Sequence, residues 1–316
     1  MVRLASKAEA ICLFLAVVSP AIANDTNAVV AAGGLQFVKT DELRIEQEDL
    51  IVSKERIHVA YRIRNLTDHD IRTLIAFPLP EIDAAAFSET PHEFHNSQND
   101  GDVVNFRLRI DGKEVEPGFD ARALTPNGVD VTELLRKNHL ALTAWRPITE
   151  GHAVVELVAA GAVLDDDEHH PNWSVKAAYH WEQIFPANAV VAVTHDYQPV
   201  VGAGEIGKSE FQESGRMAAY CPDKSFVDAA SRLSGWEVGG THVSGHWLDY
   251  VLTTGANWAG PIGKFRLEIK KGDADLVSLC AIPKLRLHRS GQSFIAEGDA
   301  FTPTSDLKIL FISGKR

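Results

Sequence analysis

The run Asp-Asp-Asp-Glu-His-His, residues 165–170, is the most obvious group of potential metal ligands in the sequence. Carboxylate oxygens suit hard cations such as Ca²⁺, and His170 could add a ring nitrogen. A calcium loop, however, spaces its ligands around a glycine-bent turn, whereas these four acidic residues are consecutive. We therefore interpret the segment as a solvated loop between strands, with Asp165, Asp166, Asp167 and His170 as weak candidates for a metal site.

A second metal-like spacing joins His242 and His246, which are four residues apart. This interval brings two imidazoles to one ion when the segment is helical. Gly239, Gly240 and Gly245 disfavour a helix here, and in an extended chain the two histidines lie about 13 Å apart. The sequence therefore predicts an extended segment in which the two rings do not share an ion.

Four residues could exchange protons with a substrate: His180, Glu182, His195 and Asp196. In a strand, His180 and Glu182 lie on the same face. A carboxylate beside an imidazole can shuttle protons, but such pairs are more often cross-strand contacts on a solvated sheet face. We therefore predict no catalytic residue among them.

Nucleophilic catalysis has little support. Ser305 and Lys308 match the Ser-x-x-Lys pattern, but that chemistry needs both residues on one helical face, and this segment resembles the entry to a strand. The sequence contains no Gly-x-Ser-x-Gly motif. The Ser-x-x-Lys match is therefore attributed to chance.

The glycine-rich stretch at residues 253–272 raises the possibility of a nucleotide-binding loop. A phosphate loop needs Lys and then Ser or Thr after its second glycine, whereas Pro261 and Ile262 follow Gly260. The alternation that begins at Ile262 predicts a strand and not the helix of a dinucleotide fold. We expect a turn between two strands, and no cofactor.

Six tryptophans offer a different kind of site, since exposed indoles can stack on sugar rings. Burial in the core is the commoner fate of tryptophan in β-sandwiches. The glycan hypothesis predicts at least two exposed indoles on one concave face. The six residues are Trp145, Trp173, Trp181, Trp236, Trp247 and Trp258.

The N-terminus has the features of a secretory signal. Arg3 and Lys7 precede an apolar core at residues 11–18, and small residues end at Ala23. We predict cleavage after Ala23, although an uncleaved anchor helix remains an alternative, disfavoured because the core is shorter than the roughly 20 residues that span a bilayer. The sequence thus predicts a soluble exported protein, periplasmic or secreted.

Charge argues against nucleic-acid binding. The chain carries a formal charge of −12, and residues 1–23 contribute +1, so the mature part carries −12 − 1 = −13. Such a charge repels phosphate backbones, and no dense stripe of Lys or Arg offsets it. We expect no nucleic-acid partner.

The mature chain contains two cysteines, Cys221 and Cys280. In an oxidising compartment such a pair usually forms a disulfide, and closing a loop of this length stabilises the fold by about 4 kcal/mol on the chain-entropy model. Two buried free thiols are the alternative. No Cys-x-x-Cys motif suggests a redox role.

Alternating polar and apolar residues dominate the mature chain. In residues 56–65, Ile57, Val59, Tyr61 and Ile63 share one face, which predicts a half-buried strand. Similar segments recur at intervals typical of antiparallel sheets. We predict an all-β protein built of antiparallel β-sandwich lobes with one or two short helices.

Local signals place the turns and helices of this fold. Asp111-Gly112 predicts a hairpin turn. The capping-box spacing of Asp130 and Glu133 predicts a short helix near 130–140, and a second helix is expected to begin at Asp223. We expect an N-terminal lobe at residues 24–147 and a C-terminal β-rich lobe at residues 148–316.

Several stretches together resemble a bacterial exported family known as domain of unknown function 4424. The resemblance covers nearly all of the mature chain and is most specific at Ala-Asn-Trp-Ala-Gly-Pro-Ile-Gly. It implies an exported protein and no established activity, so it assigns no catalytic residue. The stretches are AAGGLQF, EDLIVS, VAYRIRN, AFPLP, YHWEQIFPA, THDYQPVVG, YVLTTGANWAGPIGKFRLEIKKGD and FTPTSDLKILF.

These observations favour a non-catalytic exported protein that binds a partner, such as another envelope protein, or supports an envelope assembly. Sheet edges and sandwich loops provide surfaces for such binding. The alternative is a carbohydrate- or peptidoglycan-binding module or an envelope hydrolase. Exposed tryptophans on one concave face would distinguish the glycan alternative from partner binding.

Overall fold

The computed structural model describes residues 26–31, 34–83, 92–93, 100–144, 146–148, 154–234 and 242–314. The predicted signal peptide and its cleavage after Ala23 lie outside these residues, as do Trp145 and Trp236. Within them the chain is mainly β-strand, which confirms the all-β prediction.

The described residues form nineteen strands. In chain order the strands are β1 (Thr26–Ala31), β2 (Gly34–Val38), β3 (Leu43–Val52), β4 (Ile57–Asn65), β5 (Ile71–Pro78), β6 (Ile82–Asp83), β7 (His92–Glu93), β8 (Arg107–Ile110), β9 (Lys113–Val115), β10 (Gly118–Leu124), β11 (Ser174–Phe185), β12 (Val190–Tyr197), β13 (Val201–Gly207), β14 (His242–Tyr250), β15 (Ile262–Lys270), β16 (Leu276–Leu279), β17 (His288–Ser290), β18 (Ser293–Phe301) and β19 (Leu307–Ser313).

These strands pair into three sheets. The first has the order β10-β11-β5-β1-β2, with β6 also paired to β11; the second has the order β17-β18-β15-β3-β4-β12-β8-β9; the third has the order β16-β19-β14-β13-β7. The described pairs are antiparallel except for β15 and β3, which run parallel. The second sheet thus takes strands from both sides of residue 148, and the division into lobes there stays a prediction.

Alternation along the strands builds the core. On β4, Ile57, Val59, Tyr61 and Ile63 are buried while Arg62 is exposed, as the sequence pattern predicted. Buried side chains from all three sheets form one large hydrophobic cluster. A smaller cluster lies on the other face of the third sheet, beneath the helical segment between β13 and β14.

Three short α-helices accompany the sheets: α1 (Thr132–Lys137), α2 (Val154–Ala159) and α3 (Lys224–Ser234). The predicted capping box at α1 does not form, because Val131 occupies the N-cap position and Glu133 is therefore the second helical residue and not the third. Asp130 Oδ1 accepts from the Thr132 N–H at 3.0 Å, and Glu133 pairs with Arg136 at 2.8 Å. Asp223 begins α3 as predicted, since its Oδ1 accepts a hydrogen bond from the Phe226 N–H at 2.7 Å. None of the helices in the described ranges has the length and apolar composition needed to span a bilayer.

Two predicted turns are confirmed. Asp111 and Gly112 join β8 to β9 with φ angles of 47° and 77°, the left-handed values of a two-residue hairpin. The glycine-rich stretch forms a 3-10 turn at Thr253–Asn257, and Ile262 begins strand β15 and not a helix. Trp258, which is 1% exposed, anchors this turn in the core.

Candidate functional site

A cleft of about 190 Å³ lies where strands of the three sheets meet. Pro78 and Pro80 lack the N–H needed to continue a ladder, so the chain leaves β5 there and turns along the cleft. The other walls come from the start of β4, the connection from β12 to β13, and β14. The lining residues are Ile57, Leu79, Pro80, Glu81, Ile82, Val103, Val104, Tyr197, Pro199, Val200, Gly202, Tyr220, Trp247, Leu248 and Asp249.

Three polar side chains belong to this wall. Tyr197 is 5% exposed, and burial raises the pKa of its hydroxyl, which therefore stays protonated. The Oδ2 atom of Asp249 accepts from Lys308 Nζ at 2.7 Å. Burial raises the pKa of the Tyr220 hydroxyl, and the charge of Asp249 and a hydrogen bond between the two side chains raise it further. The wall is therefore mainly apolar, with two tyrosine hydroxyls and an ion-paired carboxylate.

The indole of Trp247 is fixed in the cleft wall by its neighbours. A Cβ atom added at Gly202 would overlap the indole nitrogen, so only glycine leaves room for this ring. The guanidinium carbon of Arg216 lies 4.5 Å from the ring centroid, in cation–π range. Glu210 holds Arg216 in turn, since its Oε2 accepts from Nε at 2.9 Å and from a terminal nitrogen at 2.6 Å.

The predicted disulfide between Cys221 and Cys280 is present and lies next to the cleft. Cys221 follows the 3-10 helix Arg216–Tyr220, whose last residue lines the cleft. Ser278 Oγ donates to the Tyr220 carbonyl at 2.9 Å, which adds a second link between this helix and β16. The disulfide therefore tethers the helix that supplies Tyr220 and holds Arg216 over the indole.

The acidic loop at residues 165–170 is organised by its own histidine. His170 Nδ1 lies 2.8 Å from Asp166 Oδ2, and its Nε2 lies 3.3 Å from Glu168. The hydrogen bond from His170 holds the pKa of Asp166 below its ordinary value. Asp165 and Asp167 are exposed. Across the described ranges, no three His, Cys, Asp or Glu side chains converge to hold a metal ion.

The remaining metal-like and nucleophile-like spacings occur in strands. His242 and His246 both lie on β14, which confirms the extended segment predicted from the glycines. Lys308 lies on β19, as the strand interpretation of that segment predicted, and it binds Asp249.

The four acid–base candidates do not form one site. Glu182 is exposed and pairs with Arg72 at 3.2 Å, while His180 lies over Gly118 on the same face of β11. His195 points into the core, whereas its neighbour Asp196 lies on the opposite face of β12. The predicted face assignment on β11 is confirmed, because Trp181 is buried between the two polar positions.

Asp196 instead belongs to a charged cluster that the sequence analysis missed. His58 Nδ1 lies 2.8 Å from its Oδ1, Arg56 donates to the same oxygen, and Arg109 lies 3.6 Å from Oδ2. Burial raises the pKa of Asp196, but the hydrogen bonds from His58 and Arg56 outweigh this effect and lower it. Alternation could place Arg56 and His58 on the outer face, but it could not show that β12 lies beside β4.

Four of the six tryptophans lie in the described residues, and their exposure bears on the predicted stacking of sugar rings. Trp173, Trp181 and Trp258 are buried, and Trp247 is the half-buried one of the four described. Because Arg216 lies over the Trp247 ring, this indole does not present a free platform.

The cleft itself had no sequence signal as a unit, since its walls come from segments far apart in the chain. The paired prolines after β5 and the glycine at position 202 were visible, but they indicate only a strand end and a close approach. Their convergence depends on sheet order.

Comparisons with known proteins match a family model. A model of the family described as domain of unknown function (DUF4424) matches residues 23–310. The chain is similar to a solved structure from Legionella pneumophila described as a "putative nutrient binding protein", at 16% identity over 92% of this chain and 70% of that chain, with a TM-score of 0.47. No curated protein matches the sequence.

Proposed function

We propose that this chain, which belongs to the DUF4424 family as its sequence motifs indicated, is an exported, non-catalytic protein that binds a partner through the cleft between its sheets. One observation carries the proposal: a concave, mainly apolar cleft lies where the three sheets meet, and its wall includes the side chains of Tyr197, Trp247 and Asp249. An apolar pocket lined by a few polar groups is the usual form of a binding site.

A non-catalytic role agrees with the positions of the acid–base candidates. Asp196 accepts hydrogen bonds from Arg56 and His58 and lies 3.6 Å from Arg109, and Glu182 is paired with Arg72 at the surface. The hydrogen bonds hold the pKa of Asp196 below its ordinary value, whereas a general acid or base at neutral pH needs a pKa near that pH. The glycan-binding alternative depends on Trp145 and Trp236, because the described indoles are buried or covered.

Export to the periplasm is supported by the signal-like N-terminus and by the disulfide, which persists in oxidising compartments. The expected result is a mature protein that begins at Asn24, which N-terminal sequencing of the periplasmic fraction would measure. Recovery of the chain from the cytoplasm with Met1 retained and both thiols free would refute export.

Partner binding is tested by crosslinking in intact cells followed by affinity capture. Val200 is half-buried and lines the cleft, so Val200→Trp fills the cleft without burying a new side chain in the core. The matched control is Val129→Trp, at a position that is 50% exposed. We expect the wild type and the control to capture the same protein and Val200→Trp to lose it. Equal capture by all three forms would refute binding at the cleft.

A further inference from the structure

We propose that the outer face of the second sheet carries a binding site for a phosphate dianion, free or on a small soluble ester, between Arg56, Arg107 and Arg109. The site is independent of the proposed function, because it lies on the opposite face of the sheet from Ile57 and Tyr197, which line the cleft. The inference follows from an excess of arginine around one buried carboxylate.

Four basic side chains lie around the carboxylate of Asp196. Arg56 Nε donates to its Oδ1 at 2.8 Å, and His58 Nδ1 lies 2.8 Å from the same oxygen. Strand β8 contributes Arg109, whose terminal nitrogen lies 3.6 Å from Oδ2, and Arg107, which is directly opposite Asp196 in the pairing of β12 with β8. The Asp196 side chain is 9% exposed, so packing fixes the carboxylate around which these bases gather.

The two arginines on β8 have donors that the described residues leave unused. Arg107 forms no hydrogen bond or ion pair with any of them. At 3.6 Å, the contact of Arg109 with Asp196 is too long for a hydrogen bond. Because Arg107 and Arg109 are two residues apart on one strand, they share a face, with Cα atoms about 7 Å apart. Each guanidinium therefore presents its planar set of N–H donors beside the other.

These residues make a locally positive patch on an acidic protein. With His58 neutral, three arginines and one aspartate leave a net charge of 3 − 1 = +2. Glu114 lies opposite Arg109 on the edge strand β9, but it is exposed and forms no ion pair with a described residue. It therefore lowers the charge of the patch without occupying a guanidinium. The patch attracts an anion even though the whole chain carries −12.

The number of donors favours a phosphate over a carboxylate. A carboxylate has two oxygens, and one guanidinium in the bidentate geometry fills both. A phosphate ester has three acceptor oxygens and about two negative charges, so it can accept from Arg107 and Arg109 together. The patch is also compact, since it is centred on one carboxylate, and this suits a single anionic group better than a long polyanion.

A membrane surface is a poorer match for this patch. Proteins that bind at the headgroup layer usually place large apolar side chains beside the cations. The exposed large apolar residues of the described ranges all lie outside β4, β8 and β12. A soluble phosphate compound is therefore the class of ligand that the patch fits.

Titrations of the disulfide-bonded mature protein followed by ¹H–¹⁵N NMR test the site. Inorganic phosphate and glycerol 3-phosphate are the phosphate probes, acetate is the carboxylate probe, and vesicles of phosphatidylcholine and phosphatidic acid present the phosphate on a membrane. At about pH 8 the ester carries two charges, because its second pKa is about 6. We expect glycerol 3-phosphate to bind with a Kd at least about 10-fold lower than that of acetate, with shifts on β4, β8 and β12.

Several results of these titrations would overturn the inference. They are equal affinity for acetate and glycerol 3-phosphate, shifts confined to other strands, binding to the vesicles alone, and no response to either phosphate probe.

Two charge changes at exposed positions locate the site. Arg107→Gln removes a guanidinium that pairs with no described residue, so the fold should persist while the Kd of glycerol 3-phosphate rises at least about 5-fold. Glu114→Gln removes the neighbouring carboxylate and should lower that Kd about 2-fold. Arg62→Gln is the matched control, because Arg62 is exposed on the same face, opposite Ala192 and about 13 Å along β12 from Asp196.

The control separates a built site from general surface charge. If Arg62→Gln raises the Kd as much as Arg107→Gln does, the phosphate responds only to the charge of the surface and the inference is wrong. An unchanged Kd in Arg107→Gln, or a higher Kd in Glu114→Gln, would also overturn it.

Discussion

His195 should make the stability of this protein depend on pH between 7 and 5. The residue is fully buried, and the rings of Tyr61, Phe77, Phe106 and Trp181 surround it at centroid distances of 4.8–5.6 Å. Burial lowers the pKa of His195 to about 3, from an ordinary value of 6.5. The folded protein therefore keeps this imidazole neutral under conditions in which the unfolded chain protonates it.

The sign and size of the effect follow from linkage. Because the folded-state pKa lies below the unfolded one, the stability from the neutral form is present above pH 6.5 and is lost as the pH falls towards 3. Each pH unit below 6.5 lowers the free energy of unfolding by about 1.4 kcal/mol. Between pH 7 and pH 5, His195 alone should remove about 2 kcal/mol.

Urea unfolding at pH 7 and pH 5 measures this loss. His195→Phe keeps an aromatic ring but removes the titrating group, so its loss between the two pH values should be about 2 kcal/mol smaller than that of the wild type. Each protein's loss of unfolding free energy is measured between its own two pH values, so the comparison remains valid if the variant is less stable at both. His69→Asn is the control, because its side chain is 64% exposed. Equal losses in the wild type and His195→Phe would refute the reasoning.

Three other changes have definite expected outcomes. Replacing Cys221 and Cys280 by Ser should lower the free energy of unfolding by about 4 kcal/mol, since the bond closes a separation of 59 residues; urea unfolding that shows under 1 kcal/mol would contradict this. Gly202→Ala should lower the free energy of unfolding by about 1–3 kcal/mol, because the new Cβ atom overlaps the indole of Trp247. Gly204→Ala, at a position with room for a Cβ atom, should lower it less, and thermal melts of the two variants measure the difference. Asp196→Asn should lower the free energy of unfolding by about 1–3 kcal/mol at pH 7. Because the folded-state pKa of Asp196 is lowered from 3.8, this penalty should shrink as the pH falls through and below 3.8 and the wild-type carboxylate is protonated; a pH-independent penalty would exclude the ion-pair explanation.

Local patterns were sufficient for the elements and for several turns. Alternation identified the strands, the Asp-Gly pair identified the β8–β9 hairpin, and Asp223 identified the start of α3. These features depend on interactions between residues within a few positions of each other, so they can be predicted from the local sequence. The capping box predicted at α1 is wrong by one position, because Val131 and not Asp130 is the N-cap residue of that helix.

Which strands pair with each other could not be predicted from the sequence. Nothing in residues 43–52 indicates that β3 pairs in parallel with β15, more than 200 residues later. The same holds for Asp196 with His58, and for Asp249 and Tyr197 in one cleft. The sequence by itself determined that the chain alternates into strands, joins them by glycine and proline turns, and carries one cysteine pair. Only the tertiary structure decided which charges meet and where the cleft forms, because both depend on the order of strands in the sheets, and period-two alternation is the same for every order.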